Sequence, residues 1–497
     1  MRGHNAITVG TLLAGAAHAY AGSGVVQWDI HKPERRQEFN RLRKRASTFE
    51  EVITNEQARG GYFATCRLGT PAQNLTLQLD TGSSDIWAPD SGAQVCRSRT
   101  SGNSGTINPD LSTTFDVVGK GDFNISYVDG SSSVGDYFTD VFEIGGATLK
   151  NMTMGLGLQT DIPYGLVGVG YAVNEAIVGQ TASLSSVYPN LPVQMVNEGL
   201  INTVAFSLWL NDLDSNSGNI LFGGIDTEKY KGDLTRINIL PTVKDLFTAF
   251  MVSLTSLSAA SPSGADTLTS KEFPIPVVLD SGTTLSYLPT DLASQIWKEV
   301  GAVYSSELEV AVLPCNMQNS AGHFSFGFAG PNGPRINVSM DELVLDLTSG
   351  RPPIFTSGQY RGQDVCEFGI QNFTEAPYLL GDTFLRSAYV VYDLMNNQVG
   401  IAATDFNSTN SNVVAFPSRG AQIPSATVAP GQSEATAVPS VTSPAYAASP
   451  GFTESAKPGA TKNAAGGRPQ AFGMGQVVVV GLSMGLMAVV SGVFWVL

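Results

Sequence analysis

The sequence predicts an all-β protein built as two related halves, and three observations carry that reading. Residues 61–404 consist of short β-branched and aromatic runs broken by Gly, Asn, Asp and Pro, the pattern of many short strands joined by turns. Helical periodicity is scarce; residues 193–199 and 292–300 are the better helix candidates, and both are short. Finally, Leu79-Asp80-Thr81-Gly82-Ser83-Ser84 recurs 200 residues later as Leu279-Asp280-Ser281-Gly282-Thr283-Thr284, each copy after an apolar run. An apolar-apolar-Gly segment follows each copy, Leu166-Val167-Gly168 ending 88 residues past Asp80 and Leu379-Leu380-Gly381 ending 101 past Asp280. The same order of elements in both halves reads as a duplication, with one lobe expected over 46–230 and the other over 231–404.

The ends of the 497-residue chain carry a different composition from its middle. Arg2, an apolar run over 7–17 and the small-x-small pattern Ala17-His18-Ala19 read as a secretory signal over 1–19, cut after Ala19 or after Ala21. Residues 20–45 are basic and end in Leu42-Arg43-Lys44-Arg45, a dibasic processing site, so they read as a propeptide. A solvated basic arm or a nucleic-acid patch is the alternative, disfavoured by the signal ahead of it. Removing residues 1–45 leaves 20 basic and 40 acidic side chains, a balance of −20. That acidity argues against nucleic acid as a partner.

Four cysteines in a secreted chain predict two disulfides. Of three connectivities, Cys66 with Cys96 and Cys315 with Cys366 is favoured, because each pair then lies within one half. Sequons at Asn74, Asn124, Asn151, Asn337, Asn372 and Asn407 fit the same compartment. Residues 405–475 are rich in Ser, Thr, Ala, Pro and Gly, too poor in large apolar groups to build a core, and are expected as an extended stalk. Residues 476–497 are almost wholly apolar and long enough to cross a bilayer. Small residues at Asn463-Ala464-Ala465, a spacer and this tail match a GPI-attachment signal with Asn463 as the anchored residue, a retained tail anchor being the alternative. Either reading puts the protein at the cell surface on a membrane.

The two Asp loops carry the chemistry. In each, Asp supplies a carboxylate, the next hydroxyl holds the loop through local hydrogen bonds, and Gly lets the backbone turn beside it. One such loop alone is an ordinary Asx-type turn. Two brought together cannot both ionise freely, so they share a proton, and a water between them can attack a peptide carbonyl. Such a site needs neither cofactor nor metal. Of four histidines, His4, His18 and His31 lie in the signal or propeptide, leaving His323, too few for a His-based zinc site. The G-x-S-x-G match at Gly481-Leu482-Ser483-Met484-Gly485 lies inside the apolar tail, and four paired cysteines would leave no thiol nucleophile.

Over residues 61–404 the chain resembles the pepsin family of aspartic peptidases. The resemblance rests on Gly69-Thr70-Pro71-Ala72-Gln73 before the first Asp, Trp87 seven residues after it, Tyr127-Val128-Asp129-Gly130-Ser131, and Phe222-Gly223-Gly224-Ile225-Asp226. It also rests on Leu380-Gly381-Asp382-Thr383-Phe384-Leu385-Arg386 followed by Tyr392-Asp393. The anchored tail and dibasic propeptide are similar to those of GPI-anchored fungal yapsin-like members. The resemblance implies a bilobal pepsin-like aspartic protease fold with a cleft between the lobes, an endopeptidase acting at acidic pH on polypeptide substrates, and a monomer. Asp80 and Asp280 would be the catalytic pair, flanked by Gly82 and Gly282 and steadied by Ser83 and Thr283. Tyr127 would sit on a flap over the cleft with its hydroxyl on the Trp87 indole, and Asp129 would go with acceptance of Lys or Arg at the cleavage site. The chain departs from the family in two ways: Cys66 occupies a strand position where an aliphatic residue is usual, and no acidic insertion marks the first lobe. A pepsin-fold surface protein that binds without cleaving is the alternative, and two intact loops argue for activity.

Overall fold

The protein is described by a computed structural model covering residues 24–32, 61–97, 105–215, 217–348 and 351–432. The signal over 1–19, Asn463 and the apolar tail over 476–497 lie outside these residues. No helix among the described residues is long and apolar enough to cross a membrane.

Alternation decides the strands. The first strand, β1, spans Val26–Ile30; in the first lobe β2 is Phe63–Leu68 and β3 is Gln73–Asp80. On β3, Leu75, Leu77 and Leu79 are fully buried, whereas Asn74 faces solvent, so the period-2 pattern fixes which face enters the core. Strands β4 (Ile86–Pro89), β5 (Asp116–Ser126), β6 (Ser132–Ile144), β7 (Ala147–Thr160) and β8 (Leu166–Gly168) complete a sheet in the order β2-β3-β8-β4-β7-β6-β5.

The duplication holds in topology. In the first lobe β3 runs parallel to β8, which lies antiparallel to β4, which in turn runs parallel to β7. The second lobe repeats this with Ile275–Leu279 parallel to Tyr378–Leu380, the latter antiparallel to Ser286–Pro289, and Ser286–Pro289 parallel to Ile370–Phe373. The two apolar-apolar-Gly segments are therefore the parallel partners of the Asp-bearing strands. The helix candidates appear as Leu191–Asn197 and Thr290–Val300.

A third, seven-stranded sheet draws on both halves, in the order β1, Gly218–Phe222, Ala205–Trp209, Ala388–Asp393, Gln398–Thr404, Tyr230–Asn238 and Thr427–Val428. Its two edges come from segments expected to be accessory. β1, inside the expected propeptide, pairs along its whole length with Gly218–Phe222 and buries Trp28 and Ile30. At the other edge, residues 405–432 are not the extended stalk expected from composition. Val413–Ala415 pairs with Gly224–Asp226, Thr427–Val428 pairs with Tyr230–Asn238, and Phe416 and Ile423 are buried against Tyr389 and Trp209. Sparse apolar residues suffice there because they land on a core already formed.

The cysteines divide. Cys315 and Cys366 form a disulfide, with Cα atoms 4.9 Å apart, since strand Val310–Pro314 lies beside strand Val365–Phe368. The expected Cys66–Cys96 bond is not formed. Cys66 points into the core from β2 between Ala64 and Leu68, whereas Cys96 sits on the turn Gln94–Arg97 that follows β4 and packs on β7. β2 pairs with β3 and β6, whereas Cys96 stands outside the strands, on a turn that packs on β7.

Replacing Cys315 and Cys366 by Ser is expected to lower unfolding stability by about 3–4 kcal/mol, since the bond closes a loop of 51 residues. Cys66 should resist alkylation in the folded protein, because burial pushes its thiol well up. Urea titration, with thiol labelling by mass spectrometry, checks both.

Candidate active site

Asp80 ends β3 and Asp280 directly follows strand Ile275–Leu279, so each carboxyl stands where its strand turns out of the sheet. Both are almost fully buried, 4 % and 5 % exposed. The backbone N–H of Gly82 donates to Asp80 Oδ1 at 2.7 Å, and that of Gly282 to Asp280 Oδ1 at 2.8 Å. The outer oxygens accept from the predicted hydroxyls: Ser83 Oγ donates to Asp80 Oδ2, and Thr283 Oγ1 to Asp280 Oδ2 at 2.6 Å.

The glycines do more than turn the chain. A Cβ on Gly82 would lie 2.6 Å from Asp280 Oδ1, and one on Gly282 would collide with Asp80 Oδ1. Each glycine is thus the space that the opposite lobe's carboxyl occupies. Gly168 and Gly381 have a similar role in the layer behind: a Cβ there would strike the backbone at Ser84 and Asp85, or at Thr283 and Leu285.

Thr81 and Ser281 do something that the sequence did not reveal. Instead of holding their own loops, they cross. Thr81 Oγ1 donates to Leu279 O at 3.0 Å while accepting from the Ser281 N–H at 2.9 Å; Ser281 Oγ donates to Leu79 O at 3.3 Å while accepting from the Thr81 N–H at 3.2 Å. Four buried hydrogen bonds join the lobes directly beneath the carboxyls. The signal was present, since the middle residue of both loops is a hydroxyl, but a single chain segment cannot show that its partner lies 200 residues away.

The hairpin β5–β6 carries Tyr127 and Asp129 at its tip, closed by Tyr127 N–H to Ser131 O at 2.9 Å and by Gly130 in a left-handed conformation. Trp87 Nε1 donates to Tyr127 Oη at 2.7 Å, as expected. Asp129 is exposed, and its Oδ1 accepts from Ser131 N and Oγ at 2.9 and 2.6 Å. Of the sequons, Asn74, Asn124, Asn151, Asn337 and Asn407 are exposed and Asn372 is half-buried.

Burial, reinforced by the charge of Asp280, pushes Asp80 up to about 7 against the pull of its bonds from Ser83 and Gly82. A third carboxyl, Asp382, follows Gly381; its N–H donates to Thr283 O at 2.9 Å and its Oδ2 accepts from Gly61 N at 3.1 Å. Burial raises it to about 8 despite nearby Arg386. Arg386, also buried, is ion-paired with Glu342. Among the described residues the one cluster with metal-ligand spacing is Cys315, Asp346 and Cys366, whose two sulfurs are bonded to each other.

A model of the family described as eukaryotic aspartyl protease matches residues 61–404. The chain belongs to the eukaryotic aspartyl protease family. It is 42% identical over 390 residues to the probable aspartic-type endopeptidase opsB of Aspergillus fumigatus, covering 78% of this chain and 76% of that one. It is 39% identical over 414 residues to the probable aspartic-type endopeptidase OPSB of Arthroderma benhamiae, covering 82% and 81%. It is 34% identical over 375 residues to secreted aspartic protease 8 of Candida albicans, covering 74% and 81%. The protein is accordingly an aspartic-type endopeptidase with the pepsin-like fold.

Two expectations arise from this geometry of the protease. Asp80 and Asp382 titrate near 7 and 8 when folded against about 4 when unfolded, so their contribution is full below pH 4 and is lost as pH rises through 7–8. Thermal unfolding should show the highest Tm at acidic pH, with stability falling by on the order of 1 kcal/mol per group per pH unit between pH 4 and 7; a flat profile would contradict the assignment. Separately, Thr81→Val leaves the Ser281 N–H and the Leu279 carbonyl buried without partners. Its cost should be about 2–4 kcal/mol by urea titration.

Proposed function

We propose that the protease cleaves internal peptide bonds through Asp80 and Asp280. The observation that carries this is the fit of each carboxyl into the space left by the other lobe's glycine. The two groups share one proton, as close buried carboxyls must. The ionised member takes a proton from a water, whose oxygen bonds to the substrate carbonyl carbon; the protonated member donates to the carbonyl oxygen. Collapse of the resulting diol breaks the C–N bond: the carboxyl that took the water proton passes it to the departing nitrogen, and the other carboxylate takes a proton back from a diol hydroxyl, which leaves a carboxylic acid and an amine. Substrate enters as an extended strand under hairpin β5–β6, its backbone pairing with the cleft edges. Tyr127, held by Trp87, covers the scissile region.

Acidic activity follows from the need to retain the shared proton. Asp129, exposed at the hairpin tip, supports a preference for Lys or Arg beside the cut. A peptide library cut only next to bulky apolar residues would remove that preference. The secretory signal, the dibasic propeptide, and the GPI-anchored cell-surface location rest on the sequence and on the resemblance to secreted relatives.

Peptide cleavage at pH 3–6 by the matured protein, with and without pepstatin, tests the whole reading. Wild type should cut and be blocked by pepstatin, while Asp80→Asn and Asp280→Asn should each lower kcat by at least about 1000-fold. A matured wild type that cuts nothing would favour the binding-protein alternative.

A further inference from the structure

Asp85 is fully buried, on the same loop as Asp80 and two residues before Trp87. Its carboxylate is the meeting point of three donors from three separate elements. Tyr137 Oη on β6 donates to Oδ1 at 2.9 Å, Tyr188 Oη from the segment before helix Leu191–Asn197 donates to Oδ1 at 2.7 Å, and Ala176 N–H at the start of helix Ala176–Thr181 donates to Oδ2 at 2.8 Å. Its own carbonyl accepts from Gly168 N–H at 2.9 Å, which ties it back to β8.

These contacts run directly to the hairpin. Tyr137 stacks edge-on against Phe123 of β5 at 5.4 Å, Phe123 lies against Trp87 at 6.1 Å, and Trp87 holds Tyr127. Tyr137 also meets Tyr188 edge-on at 5.7 Å. Trp87, Phe123, Tyr137 and Ile125 form one apolar cluster, with Tyr127 and Tyr188 packed on it. A carboxylate with three donors lies at its polar end.

We propose that Asp85 is a positioning residue for the flap, its buried carboxylate fixing Tyr137 and Tyr188 relative to the Asp80 loop and thereby holding Trp87 where it meets Tyr127. The proposal rests on the reading that hairpin β5–β6 closes over substrate. An amide would not serve in this place. Three donors converge on Asp85, and an Asn would turn an N–H toward at least one of them.

The neighbouring acid, Glu175, is consistent with this division of labour. It too is fully buried, but it accepts a single bond, from Tyr188 N–H at 3.0 Å, and its Oε1 has no partner. Burial first, and the charge of Asp85 in addition, push Glu175 up to about 9. Burial pushes Asp85 up as well, but its bonds from Ala176, Tyr188 and Tyr137 pull against that, whereas Glu175 has only the one from Tyr188; Tyr137 and Tyr188 are the other titratable groups facing Asp85.

A double-mutant cycle with Tyr127→Phe separates positioning from bulk stability. In the matured full-length enzyme, Asp85→Asn should lower kcat/KM about tenfold, but less than about threefold when Tyr127→Phe has already removed the Trp87–Tyr127 bond. Tyr188→Phe removes one donor only and should show the same non-additivity with a smaller loss, which keeps the test open if Asp85→Asn does not fold. Equal fold-losses in both backgrounds, or folded variants with unchanged kcat/KM, would overturn the proposal. If Tyr127→Phe alone leaves kcat/KM unaltered, the flap reading fails and the proposal falls with it. A parent that cuts nothing points instead to failure of the proposed catalytic pair.

Discussion

Two carboxyl groups, buried and facing each other from different lobes, are the constraint around which the rest of the structure is arranged. Bringing like charges into a poorly hydrated space is unfavourable, and at Asp80 the local bonds from Ser83 and Gly82 offset it only in part; the rest must come from elsewhere. The compensation lies across the lobe boundary. Glycines at 82 and 282 leave room for the opposite carboxyl, and the hydroxyls of Thr81 and Ser281 exchange four hydrogen bonds with the opposite loop. Because each crossing hydroxyl both donates and accepts, loss of either one strands an N–H and a carbonyl of the opposite lobe. The same few residues therefore set the carboxyl separation and the orientation of the lobes.

The sheet shared by both halves completes that arrangement. Its middle strands come from both halves of the chain, and its edges are closed by β1 and by Thr427–Val428. Lys32, just past β1, donates to Asp212 O at 3.3 Å and to Leu213 O, and its ammonium lies over the Tyr62 ring. Burial lowers it to about 8, opposed by the acidic Glu342 and Asp382. The segment expected to be removed on maturation thus reaches the buried charge cluster that stands behind Asp280. At the other edge Lys229 is clasped by the carbonyls of Ser408 and Asn410, both at 2.8 Å, and lies over the Trp209 ring. Residues that composition assigns to a stalk are held there by a cation and its partners.

What was legible in the sequence was whatever repeats or alternates. The paired Asp loops, the apolar-apolar-Gly partners and the period-2 burial of β3 are patterns within one stretch of chain, and topology follows them closely. The Trp87–Tyr127 bond was legible through resemblance. What was hidden depends on distance in space. Cys66 and Cys96 are 30 residues apart and look pairable, yet one points into the core from β2 and the other sits on a turn packed against β7. Thr81 and Ser281 look like loop-holding hydroxyls and are lobe-crossing ones. Asp85 looks like one more polar turn residue after Asp80, and its three donors arrive from positions 137, 176 and 188. The fold of 405–432 was hidden because low apolar content says only that a segment cannot build its own core.

The backbone duplication also makes the remaining asymmetry informative. Gly168 and Gly381 occupy equivalent positions, and the residue after each is Val169 in the first lobe but Asp382 in the second. Val169 is fully buried and donates its N–H to Asp80 O at 3.0 Å; Asp382 donates its N–H to Thr283 O and adds a carboxyl on the Asp280 side. In the first lobe the polar hub lies on the other flank, at Asp85, turned toward the hairpin. Two loops of nearly identical geometry thus sit in different electrostatic surroundings. Symmetric loops alone cannot decide which member of a carboxyl pair carries the proton, because their hydrogen bonds are matched one for one. The groups that break the tie must lie in the layer behind, and Val169 against Asp382 is where that layer differs.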